Sequence, residues 1–178
     1  MLLVIVWLCL YKKPIRAGAI SRDEDSVDKL GDLNSLFEKV RFMHRYLPDW
    51  LKGEISENKM YFKYHRTDSE VTGEASTGRA GVSGRASFIL IDEFAKIKEA
   101  REARQRTAST ADCRFFNSTH EGEGTEFALL CRTPEFVKIQ MHWTQHPEKN
   151  GGRYRYIKAE NRIEVLDKEY HYEPDFKF

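Results

Sequence analysis

No two cysteines in this 178-residue sequence stand at CxxC spacing; Cys9, Cys113 and Cys131 are far apart and odd in number. That excludes a zinc-ribbon reading and leaves reduced, mostly buried thiols as the expectation. Neither sign of charge is in excess, with 29 Lys+Arg against 28 Asp+Glu, so bulk charge names no partner. A local patch for DNA is compatible with that total. No apolar run reaches the roughly 20 residues that a membrane-spanning helix needs. The longest, MLLVIVWLCL, stops at Tyr11-Lys12-Lys13-Pro14. Its lysines follow the apolar stretch, whereas a signal peptide carries its charges in front. A buried core element with no membrane role is expected there. Internal repeats and low-complexity tracts are also absent.

The length suits one domain of about 100–200 residues. Leu2–Leu10 is apolar on all sides, so periodicity does not separate helix from strand. A short strand is expected over 15–20, leading into the polar segment SRDEDS. Leu33, Leu36, Phe37, Val40, Met43 and Leu47 fall at helical spacing, which predicts a helix over 32–50 stopped near Pro48. A strand is expected over 60–64, preceded by a turn at Glu57-Asn58. Glycines at 73, 78, 81 and 84 among Ser, Thr and Ala predict a loop or hairpin over 71–87. Further expectations are a buried strand at 88–91, a helix over 99–108, and a strand over 113–117. A short helix over 125–131, a strand over 137–143 and one more over 163–166 complete the reading. Alternating strands and helices indicate an α/β domain with a mostly parallel sheet. Ligands of such sheets bind outside the carboxyl ends of the strands.

The strand FILI, 88–91, runs straight into Asp92 and Glu93. In ATPases this ending has a mechanical use. The Asp holds Mg²⁺ and the Glu orients and deprotonates the attacking water. A strand simply reaching the surface gives the same pattern. The segment GEASTGRA, 73–80, has the spacing of a G-x-x-x-x-G-K-S/T phosphate loop but is a decoy. Arg79 replaces the lysine, Ala80 the metal-binding hydroxyl, and Glu74 places a negative charge in the cradle. No helix is expected after it, whereas a phosphate loop opens a helix. Arg79 and Arg85, in the glycine-rich segment, are candidates for an arginine finger on transferring phosphates. Asn117, Ser118 and Thr119 close the following strand, where small polar groups sense a phosphate or simply cap a turn. His142 and His146 form an HxxxH pair, which binds metal on a helix; here the segment reads as a strand.

The stretches SRDEDSVDKLGDLNSLFEKVRFMHRYLPDWL, GEASTGRAGVSGRASFILIDEFAKI, ADCRFFNSTHEGEGTEF and VKIQMHWTQHP, in this order, resemble the ATPase domain of the large terminase subunit of tailed bacteriophages. The resemblance implies a RecA-like P-loop NTPase fold of the additional-strand, catalytic-glutamate type. Its mostly parallel central sheet is flanked by helices. It assigns 1–147 to a partial ATPase domain and 148–178 to an extension or linker. Under it, Asp92 coordinates Mg²⁺, Glu93 is the general base, and Asn117, Ser118 and Thr119 form the nucleotide-coupling motif. Arg85, or else Arg79, completes a neighbouring subunit's site. The implied cofactors are ATP and Mg²⁺. The implied partners are double-stranded DNA, the portal protein, the small terminase subunit and other copies in a ring, in the host cytoplasm. The family's phosphate loop is expected just before Met1, and its C-terminal nuclease acids have no counterpart after Asn150. Weak ATP binding and negligible turnover by the isolated chain follow from that expectation. Two rival readings are a non-catalytic prophage remnant that at most binds a partner, and a small membrane-anchored protein.

Overall fold

The computed structural model describes residues 1–12, 14–76, 84–146 and 148–172. The apolar start is a helix, α1 (Leu2–Tyr11), with Ile5, Val6, Cys9 and Leu10 buried. Strand β1 (Arg16–Ser21) follows, then the single-turn α2 (Glu24–Val27), capped by the Asp23 side chain on the Ser26 amide. Helix α3 spans Leu36–Arg45 and is capped by Ser35. It is shorter than the spacing predicts. Leu33 is half-exposed and outside it, because Asp32 and Ser35 use their side chains in turn and cap bonds instead. A turn of helix, α4 (Asp49–Lys52), follows Pro48.

Strands β2 (Ile55–Asn58) and β3 (Tyr61–Tyr64) form a hairpin, so Glu57-Asn58 lies in a strand rather than a turn. Strand β4 (Ser69–Ala75) occupies part of the segment expected as loop or hairpin. Strand β5 (Ala86–Ile91), helix α5 (Ala100–Thr110), strand β6 (Ala111–Phe116) and helix α6 (Glu126–Arg132) complete this part. The six-stranded sheet has the order β2-β3-β4-β1-β5-β6. The β4-β1, β1-β5 and β5-β6 pairings are parallel, and the other two are antiparallel. The architecture is therefore mixed α/β with a mostly parallel central sheet.

The core explains the sequence of β5. Phe88 and Leu90 join α1, α3, β1 and β4 in one cluster with Phe37, Phe62 and Val71. Ile89 and Ile91 alternate to the other face and are fully buried too. A strand covered on both faces reads as continuous apolar sequence, not as alternation. Gly73, which signals a loop in the sequence, is instead required by packing. A Cβ there would lie 2.6 Å from Phe37 Cε2 and 2.7 Å from Val27 Cγ1. Below α2, the Arg41 guanidinium grips the 3%-exposed Asp28 carboxylate with bonds of 2.7 and 3.1 Å and also reaches Glu38 and Glu57. The Asp28 carboxylate also accepts the Met60 amide at 2.6 Å. Of the cysteines, Cys9 is buried but Cys113 is exposed and Cys131 half-buried, against the expectation of mostly buried thiols.

The chain divides into two compact units, Met1–Pro134 and Glu135–Phe178. In the second, β7 (Gly151–Ile157) and β8 (Arg162–His171) form an antiparallel hairpin, of which only a part of β8 is legible beforehand. Residues 137–143 form no strand. Val137, Ile139 and Met141 alternate with polar residues as a half-buried strand would, yet all three are largely exposed. His142 caps a single 3-10 turn, Trp143–Gln145, with its Nδ1 2.8 Å from Thr144 Oγ1. No helix among the described residues is long and apolar enough to cross a membrane.

Candidate nucleotide site

The parallel register puts the ends of four strands side by side, and hydrogen bonds continue the ladder beyond them. The Ser76 amide donates to Ser21 O at 2.8 Å, the Asp92 amide to Ile20 O at 2.8 Å, and the Asn117 amide to Ile91 O at 2.9 Å. Ser76, Ser21, Asp92 and Asn117 thus form a row along the carboxyl edge. After β1 the chain runs out to β4 on one side, then crosses to β5 on the other. Such a reversal of strand order is where open α/β sheets leave a ligand crevice.

Asp92 and Asn117 face each other, with Asn117 Nδ2 donating to Asp92 Oδ1 at 2.6 Å. The loops after β5 and β6 are stitched together as well. The Phe94 amide donates to Asn117 O at 3.1 Å, and the Ala95 amide to Ser118 Oγ at 3.0 Å. Ser118 Oγ in turn donates to Thr119 O at 3.0 Å. Fully buried Phe94, packed on Phe116 at 4.8 Å, anchors this junction.

Glu93 has left-handed backbone angles, φ 50° and ψ 37°, just before a 3-10 turn at Phe94–Lys96. That conformation costs a non-glycine residue about 1 kcal/mol. It is held by two ion pairs. Glu93 Oε2 lies 3.1 Å from Arg22 Nε, and Oε1 lies 3.1 Å from Lys96 Nζ. Arg22 also bonds Asp23, the α2 cap, at 2.9 Å. Burial raises the Asp23 pKa, but the Ser26 amide and hydroxyl and the Arg22 guanidinium outweigh it and leave the value lowered.

Two cavities open at this edge. A polar one of about 890 Å³ is bounded by Ser21 to Ser26, Lys29, Asp32, Asn34, Ser35, Lys39, Asp92 and Glu93. Six of these are acidic and three basic, so the lining disfavours a bare polyanion more than its metal complex. A more apolar cavity of about 510 Å³ lies between the start of α1 and α3, with Asp92 and Asn117 on its wall. No three His, Cys, Asp or Glu side chains converge as a metal cage among the described residues. The donors present suit Mg²⁺ in the way it binds with nucleotides, through one or two carboxylates plus substrate phosphates and water.

The candidates therefore separate. Asp92, Glu93, Asn117 and Ser118 are brought to one edge, and Thr119 is the exposed residue after them. Arg85 is exposed just before β5, at the opposite end of a six-residue strand from Asp92. At about 3.3 Å per residue that is roughly 20 Å, so Arg85 is out of reach of this chain's own Asp92. Arg79 lies outside the described residues. Arg22, Lys96 and Lys39 escaped the sequence reading; Lys96 stands only three residues after Glu93, but nothing in the sequence brings Arg22 or Lys39 beside the 92–93 pair.

No protein-family model matches the sequence, and no curated protein matches it. Among solved structures, the large terminase of a thermophilic bacteriophage is similar, with a TM-score of 0.52 at 11% identity. The fold is terminase-like. The alignment covers 72% of this chain and 32% of that terminase. At this identity the likeness concerns the fold, and the chain spans less than a third of the larger protein.

Proposed function

We propose that this chain is part of the ATPase module of a terminase-type motor, one that couples ATP hydrolysis to translocation of double-stranded DNA into procapsids. What carries the reading is the Asp92-Asn117 bond at the carboxyl edge of β5 and β6, in a fold similar to that of a phage large terminase. In this reading Asp92 holds Mg²⁺, with Asn117 orienting the carboxylate. The ion supplies charge neutralisation to the β- and γ-phosphates of ATP when bound. Glu93 positions and deprotonates the attacking water. For that it must release Arg22 or Lys96, because both its oxygens are engaged. Asn117 and Ser118 bond to the loop that follows Asp92, so a shift there on phosphate loss moves β6 and its following loop. Arg85 serves a neighbouring copy in a ring, since its own site is too distant. Portal protein and small terminase subunit are the partners, in the host cytoplasm.

The test mixes the purified chain with a terminase fragment that carries a glycine-rich phosphate loop. ATP hydrolysis that disappears in Glu93→Gln supports the motor reading. Continued silence with a well-folded mixture favours the alternative, a non-catalytic binding module.

A further inference from the structure

Lys39 and Ser21 stand out at the edge just described. Lys39 is half-buried on α3, and with Asp92 it borders both the apolar and the polar cavity. The other cations of the polar cavity are neutralised: Arg22 by Asp23 and Glu93, Lys29 by Asp25. Among the described residues Lys39 has no carboxylate at ion-pair distance, although six acids line the same cavity. Asp32, within the same wall, accepts the Asn34 amide and side chain on its Oδ1 at 3.0 and 2.9 Å and acts on Lys39 only as a charge at longer range. A cation on this wall with no carboxylate in contact is available to an anionic group that enters the cavity. Ser21 supplies a second, independent sign. It is 1% exposed, borders the polar cavity, and its Oγ has no hydrogen-bond partner among the described residues. Buried hydroxyls are nearly always bonded, so an orphan here indicates a group that the protein alone does not provide.

We propose that Lys39 and Ser21 form, beside Asp92, a recognition site for the phosphate chain of a metal-bound polyphosphate. Lys39 contacts a terminal phosphate oxygen by a charge-assisted bond, and the Ser21 hydroxyl donates to the same group or its bridging water. The surrounding acids select the magnesium complex over the free anion. This inference rests on the nucleotide reading above and adds to it. It places a phosphate-binding cation on α3, outside any glycine-rich loop.

The experiment titrates the full chain with pyrophosphate, with and without Mg²⁺, by calorimetry and ³¹P line broadening. Wild type is compared with Lys39→Met, Lys39→Arg, Ser21→Ala and Asp92→Asn, each checked for an unchanged circular dichroism spectrum. We expect magnesium-dependent binding that Lys39→Met weakens at least about tenfold, the loss of one charge-assisted bond. Lys39→Arg should stay within about threefold, and Ser21→Ala should fall between. If Asp92→Asn abolishes binding while Lys39→Met binds like wild type, this proposal is wrong and the nucleotide reading stands. If wild type binds no magnesium pyrophosphate at millimolar concentration, this proposal is wrong, and the nucleotide reading is decided by the mixing experiment above.

Discussion

Gly73→Ala tests how the site's floor is built. An added Cβ would stand 2.6 Å from Phe37 Cε2, 2.7 Å from Val27 Cγ1 and 3.0 Å from Met60 Cβ. Carbon contacts favour about 3.5–4.0 Å, so two overlaps approach 1 Å. Neither main neighbour yields easily. Phe37 is fully buried and stacked on Phe62 at 5.6 Å, and fully buried Val27 belongs to α2, whose Asp23 cap borders the polar cavity. Overpacking of this kind costs about 1–3 kcal/mol. Removing a glycine from the unfolded chain returns about 0.4–1 kcal/mol. The net expectation is a loss of about 1–2 kcal/mol. With a urea slope of about 2 kcal/mol/M, the midpoint should fall by roughly 0.5–1 M at unchanged slope. A neutral or stabilised Gly73→Ala protein would show that β4 does not pack beneath α2 and α3, and the wall of the polar cavity would have to be redrawn.

Asp28→Ala should destabilise by about 3 kcal/mol in the same assay, the lower end for breaking a buried ion pair, because Arg41 keeps Glu38 and Glu57. Burial pushes the Cys9 thiol up to about 12, so iodoacetamide at about pH 8 should label exposed Cys113 and leave Cys9 intact until the protein unfolds. The Asp23 carboxyl is lowered in the folded state, so its contribution is present above the unfolded pKa and fades as pH falls through the folded one. Asp23→Asn, which keeps a competent cap but not the charge beside Arg22, should be less stable than wild type at about pH 7, with the gap closing below about pH 4; an identical acid profile would remove Asp23 from that account.

What the sequence makes legible follows from how local each signal is. The run 88–91 and its two acids identify a strand buried on both faces and its carboxyl end, because burial on two sides leaves no polar positions. Val71–Ala75 is misread because Gly73 looks like a turn residue when seen alone; Phe37 and Val27, which demand it, come from elsewhere in the chain. Residues 137–143 mislead in the opposite way. Their alternation suits a strand, but strand formation needs a partner, and none pairs with them among the described residues. The 92–93 acids and Asn117 are visible as strand endings. Arg22 and Lys39 are not, since their relation to those acids arises from sheet register and from where α3 packs.

The most direct measurement of the account is paramagnetic broadening of backbone amide signals by Mn²⁺·ATP. The account predicts broadening centred on Asp92 to Ala95 and Asn117 to Thr119, lost in Asp92→Asn. Broadening spread over the surface, or centred elsewhere and indifferent to Asp92→Asn, would contradict it.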